Sequence, residues 1–157
     1  MVTIRPLALD DEPSARGLFT YAFGNTLYAE APRAALVRAL SGAAPSEATG
    51  VVATSGGEVI GVAVYGEVAG ANGAGKMHGM AVSADARRHG VARLLIEALV
   101  DDLTGRGARF VLVEFPDAPE LAVGRTLLEH SRFAEESRIP DFFRDGIALC
   151  FLRRALR

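Results

Sequence analysis

The stretch Met80–Leu99, MAVSADARRHGVARLLIEAL, limits the fold more than any other part of the chain. Met80-Ala81-Val82 end an apolar run with strand character. Ser83–His89 are polar and bring Arg87, Arg88 and His89 together. From Gly90 onward, Val91, Leu94, Leu95 and Ala98 fall at i, i+3, i+4 and i+7, the pattern of a helix with one buried face. This order predicts a helix that starts beside the end of a strand. The first N–H groups of such a helix lack intrahelical acceptors, and its dipole is positive there, which makes an anion site. Gly90 leaves the backbone open to a ligand, and Arg87, Arg88 and Arg93 add positive charge.

At 157 residues, half of them apolar, residues 1–157 suit a single domain with a real core. A formal net charge of -2 argues against a nucleic-acid partner, as does the lack of a basic patch interleaved with aromatics. No apolar run is long enough for a membrane helix, and MVTIRPLALDD lacks a signal peptide's apolar segment, so no membrane partner is expected. Cys150 is the single cysteine and lies in the apolar run Ile147–Leu152, where it reads as core. It cannot form an internal disulfide, and a reducing cytoplasm is the expected location. His78, His89 and His130 have no metal-ligand spacing, so no metal is expected.

The rest of the chain supplies the elements around this stretch. Val2–Leu7 reads as a strand. A helix follows, with Asp10 or Asp11 as its cap, Pro13 in its first turn, and Leu18, Phe19, Ala22 and Phe23 on its inner face. Pro32–Leu40 predicts a second helix with Leu36, Val37 and Leu40 inward. Gly50–Ala53 and Val59–Tyr65 flank Ser55-Gly56-Gly57, a hairpin signal, and Lys76–Val82 is a third antiparallel strand. After the helix Gly90–Leu103, Arg109–Glu114 returns as a strand parallel to Lys76–Val82, with a right-handed crossover. Pro119 starts a helix over roughly Glu120–Glu129, with Leu121, Gly124, Leu127 and Leu128 on its packing side. Phe133–Leu152 holds a last strand pair turned at Asp145-Gly146, and Arg153, Arg154 and Arg157 form a solvated basic tail.

Val82, Arg87, Gly90 and Ala92 make a strand valine followed by R-x-x-G-x-A. This resembles the acyl-CoA pyrophosphate loop of the GCN5-related N-acetyltransferase (GNAT) superfamily. Arg88 stands where many members have glycine. The resemblance implies an α/β fold: a mixed, mostly antiparallel sheet flanked by helices, with a splayed parallel strand pair. It implies acetyl-CoA as acyl donor, held by Met80, Ala81, Val82, Arg87, Arg88, His89, Gly90, Val91, Ala92 and Arg93. The partner would be an amine acceptor, either a small molecule, an amino acid or a peptide. The first two helices would wall the acceptor site, with Tyr21, Tyr28 and Glu30 as possible contacts. Phe142 and Phe143 would line that site, cover the core or meet a second copy in a homodimer.

Transfer to an amine needs a neutral nitrogen, and so a base. His78 is the first candidate: it lies four residues before Val82 and its ordinary pKa suits proton transfer near neutrality. Simple alternation puts it on the face of Met80 and Val82. A packed, hydrogen-bonded histidine is the competing role. Glu114, at the end of Phe110–Val113, is the second candidate, to bind a cationic amine or take its proton through water; otherwise it is a solvated edge carboxylate. Tyr65 and Glu67 are further candidates, and Gly79 would allow close approach. One departure stands out. Leu128 occupies the place of a family tyrosine that protonates the leaving thiolate, Arg132 replaces a glycine, and Pro116–Pro119 displaces a family asparagine. That leaves a noncatalytic acyl-CoA-binding or regulatory module as the alternative to an enzyme.

Overall fold

Strand β1 (Val2–Pro6) leads into helices α1 (Glu12–Phe23) and α2 (Glu30–Leu40), then strands β2 (Thr49–Ser55), β3 (Glu58–Glu67) and β4 (Ala74–Val82). Helix α3 (Val91–Gly105), strand β5 (Phe110–Pro116) and helix α4 (Ala122–His130) follow, and β6 (Ala134–Arg144) and β7 (Ile147–Ala155) close the chain. These elements come from a computed structural model that describes residues 1–87 and 89–157. Among the described residues, seven strands form a single sheet in the order β1-β2-β3-β4-β5-β7-β6. Every neighbouring pair is antiparallel except β4 and β5, which are parallel as the sequence predicts.

Period-two alternation divides the core between the two faces of the sheet. Along β3, Val62 and Val64 join Leu18 and Phe19 of α1 and Leu36 of α2 in one cluster. Ala63 and Tyr65 join Leu95, Ile96 and Leu99 of α3 in the other. Small residues bring α3 close: a Cβ on Gly61 would stand 2.9 Å from the Leu95 side chain. Leu94, one step round the helix, is 43% exposed and marks the edge of the buried stripe. Among the described residues, no helix is long and apolar enough to cross a membrane.

Three expectations fail locally. Asp11 does not cap α1 with its side chain. Its carboxylate instead accepts from both arms of Arg5, at 2.7 and 2.8 Å, and from the Ala8 N–H at 2.8 Å. Val37 is 62% exposed, because Ala35 and Leu36 occupy the buried stripe of α2. Arg153 and Arg154 are not a tail. They belong to β7, where Arg153 pairs with Glu136 and the buried Arg154 reaches Glu97 on α3.

The parallel pairing is short. Ala74, Gly75 and Lys76 face Phe110, Val111 and Leu112, and there the register ends. Met77–Val82 and Val113–Pro116 continue without pairing to one another, so the sheet opens into a wedge. On its other edge β4 stays paired with β3, but Val64 faces Gly79 while Tyr65 faces Met77. His78 is therefore the extra residue of a β-bulge.

Candidate active site

The bulge decides where His78 points. An extra residue breaks the alternation, so side chains beyond it change face. Met77, Met80 and Val82 pack with the α3 cluster. Gly79 faces α2 so closely that a Cβ there would stand 2.6 Å from Pro32. His78 also turns to α2 and lines a cavity with Ala31, Ala34 and Arg38 of that helix. The expectation that His78 shares a face with Met80 and Val82 is thus corrected.

The cavity has a volume of about 240 Å³ and also takes in Lys76 and Glu114. It lies at the fork of the wedge. Lys76 is on the last paired rung of β4, and its ammonium forms an ion pair with Glu114 on β5. The structure thus brings the two predicted catalytic residues, His78 and Glu114, into one cavity from two diverging strands. Arg38 and Lys76 were not singled out by sequence, since a lone cation on a helix or strand carries no local signature.

The His78 ring is oriented by main chain. Its Nε2 lies 3.2 Å from the carbonyl oxygen of Glu47, in the loop between α2 and β2. A carbonyl only accepts, so Nε2 carries the proton and the lone pair of the neutral ring is on Nδ1. Burial pushes the His78 pKa below its usual value, and the cationic Lys76 and Arg38 push the same way against the Glu47 carbonyl and Glu114. The imidazole is therefore neutral at neutral pH, with its Nδ1 lone pair open to a proton.

The second part of the site is the turn into α3. Gly90 adopts the left-handed conformation (φ 73°) just before the helix, with open space where a Cβ would be. The intrahelical ladder begins with Leu94 N–H bonding the Gly90 carbonyl, so the N–H groups of Val91, Ala92 and Arg93 precede it. Val91 is fully buried, and only its backbone can face a ligand; His89 and Arg93 are exposed. The Arg87 guanidinium lies over the Tyr21 ring, 5.2 Å from its centroid, which ties the loop to α1. Arg88 falls outside the described residues. Between the loop and the cavity runs the free edge of β4. Met80 and Val82 turn toward α3 and Ala81 toward α1 and α2, so these residues offer a ligand their main chain.

Other sequence candidates lie elsewhere. Tyr65 faces α3, where its hydroxyl donates to Asp102 at 2.7 Å, and burial pushes its pKa up. Glu67 pairs with Arg106. Tyr28 packs edge-on against Phe143, with 5.3 Å between ring centroids, and Phe142 is half exposed. Glu30 opens α2 at an exposed position. Leu128 is buried in the α3-side cluster that also holds Phe133 and Cys150. Cys150 is fully buried, and burial raises its thiol pKa, as suits a packed residue.

The sequence model of the Acetyltransferase (GNAT) family matches residues 15–123, more than half of the chain and all of the wedge and loop. The chain belongs to the GNAT family. No curated protein sequence matches it. Solved structures of GNAT-type proteins share its fold along nearly their whole length. A GNAT-family protein of Desulfovibrio desulfuricans superposes with a TM-score of 0.89 at 22% identity, covering 100% of both chains. The ribosomal-protein-S18-alanine N-acetyltransferase of Escherichia coli gives 0.78 at 19% identity, covering 99% of this chain and 94% of its own. An acetyltransferase-type protein of Salmonella typhimurium, solved with acetyl-CoA, gives 0.77 at 18% identity, with the same coverage.

Proposed function

We propose that the chain transfers an acetyl group from acetyl-CoA to the primary amine of a small molecule, amino acid or peptide. The observation that carries this reading is the convergence at the wedge. A free strand edge joins an anion-ready helix start to a cavity that holds a neutral histidine. The residues suit acetyl-CoA. Gly90 leaves room at the start of α3, the helix N–H groups and Arg87 favour a diphosphate, and the main chain of Met77–Val82 suits an amide-bearing arm. Acetyl-CoA supplies the activated carbonyl and a thiol leaving group.

The protein supplies position and proton transfer. Glu114, already sharing the Lys76 ammonium, attracts the cationic amine into the cavity. His78 takes the amine proton at Nδ1 while Glu47 holds the opposite nitrogen. Leu128 has no proton to give, so solvent or another nearby donor protonates the departing sulfur. A thiol's reference pKa of about 8.5 makes that leaving group tolerable without an acid. Buried Cys150 stays a thiol. The noncatalytic acyl-CoA-binding reading draws on the same Leu128.

Thiol release from acetyl-CoA with a panel of amines tests the proposal. Turnover is expected, with His78→Gln losing about a hundred-fold in kcat and binding acetyl-CoA as tightly as the parent. Acetyl-CoA binding without turnover on any amine would favour the binding module.

A further inference from the structure

Three charged side chains line the cavity: Arg38, Lys76 and Glu114. Lys76 and Glu114 neutralise each other across the fork. His78 is neutral. Arg38 is the remaining charge among the lining residues, and none of the ion pairs among the described residues involves it. The cavity lining thus includes one exposed guanidinium with no ion-pair partner among the described residues.

The geometry of α2 gives that charge a place. Ala31, Ala34 and Arg38 follow at steps of three and four residues, so they share one face of the helix. The two alanines leave the space that a longer side chain would fill, and Arg38 bounds it a turn farther along. A guanidinium presents a planar fork that matches a carboxylate bidentately. The volume of about 240 Å³ takes a small molecule.

Resting on the acetyltransferase reading above, we propose that the acceptor is a small primary amine bearing a carboxylate, which Arg38 binds while the amine faces His78. Such a ligand has a partner for each of its charges: its carboxylate meets Arg38, and its ammonium meets the Glu114 carboxylate that Lys76 shares. A diamine has no such match, because its second ammonium meets Arg38.

The test uses the full chain with acetyl-CoA and matched acceptors: glycine against glycinamide, β-alanine against β-alaninamide, and putrescine as a dication. Rates are compared as kcat/KM for the free-base amine, since the amide lowers the basicity of its own amine. The acid of at least one pair is expected to exceed its amide by about ten- to a hundred-fold. Arg38→Gln should abolish that preference, and Arg38→Glu should turn it toward putrescine. Equal rates within both pairs, a parent preference for putrescine, or a preference that survives Arg38→Gln would overturn the proposal and leave acetyl transfer standing. Calorimetry with glycine and β-alanine separates the two claims. Acid binding that disappears in Arg38→Glu, without thiol release, would retain the acid site and reject the transferase. Neither binding nor release would reject the acid site.

Discussion

The Nε2–H of His78 donates to the carbonyl of Glu47 at 3.2 Å, and the loop bearing Glu47 comes this close to the sheet because residue 66 is glycine. A Cβ on residue 66 would stand 2.3 Å from that same oxygen, and the Glu67 N–H holds the loop through the Ser46 carbonyl at 2.7 Å. Gly66→Ala must therefore push the Glu47 carbonyl away from His78. The expected stability loss is about 1–3 kcal/mol. The more specific readout is the ring itself. Nitrogen NMR should show the Nε2-protonated tautomer in the parent and a mixture in the variant. An unchanged tautomer would separate Gly66 from the orientation of the histidine.

The environment of His78 sets a pH dependence with a definite sign. Burial and the charges of Lys76 and Arg38 lower its pKa in the fold, against Glu47 and Glu114, while the unfolded chain keeps a value of about 6.5. Below that value the unfolded state takes up a proton that the folded state resists. Stability therefore declines as pH falls from about 6.5 toward the folded pKa, and His78 adds no slope above it. Activity should fall over the acid side of the same window as Nδ1 becomes protonated. Urea unfolding across the window should show a shallower decline for His78→Gln than for the parent. Identical slopes would mean that the ring titrates as it does in the unfolded chain.

On the opposite face of the sheet, Arg154 is buried on β7 and donates to Glu97 on α3 at 2.8 and 3.4 Å and to the Ser131 carbonyl at 3.4 Å. Its hydrogen bond holds the Glu97 carboxyl below the usual range. Glu97→Ala leaves a buried guanidinium without its carboxylate. Because Glu97 itself is partly exposed, the loss is expected at about 1–3 kcal/mol rather than the full cost of a sealed pair. Denaturant midpoints measure it. The parent should also lose this contribution as pH falls through the folded pKa of Glu97, and the variant should not.

The order of elements and the parallel pair were legible because both rest on period and spacing. The apolar stripe of α3, the hairpin glycines and the strand-helix-strand unit each leave a local trace. The direction of His78 was not legible. One extra residue on β4 reverses which face the following side chains take, and the bulge is defined only by how Val64 and Tyr65 pair across the strand. Gly79 was a hint, since glycine here accommodates Pro32 beside the bulge. Arg38 and the Glu47 carbonyl were not legible because they approach His78 from other segments, and a main-chain acceptor has no sequence signature. Arg153 and Arg154 looked like a solvated tail because their partners, Glu136 and Glu97, are far away in sequence.

At the other end of the wedge, Arg87 and Tyr21 make a last separable prediction. The guanidinium lies 5.2 Å from the ring centroid of an exposed tyrosine, so the ring restrains the arginine without burying it. Arg87→Ala removes a cation from the anion site and should weaken acetyl-CoA binding by about ten-fold, the effect of losing one charge-assisted contact. Tyr21→Leu removes only the restraint, an exposed cation–π contact of about 0.5–1 kcal/mol, and should weaken binding about two- to five-fold. The double variant then decides between cooperation and coincidence. If Tyr21 acts through Arg87, its replacement adds nothing once Arg87 is alanine. Additive losses in the calorimetric cycle would give Tyr21 a contact of its own with the donor. Salt provides a second check. The Arg87 contribution should shrink as ionic strength rises, because its charge is exposed to screening.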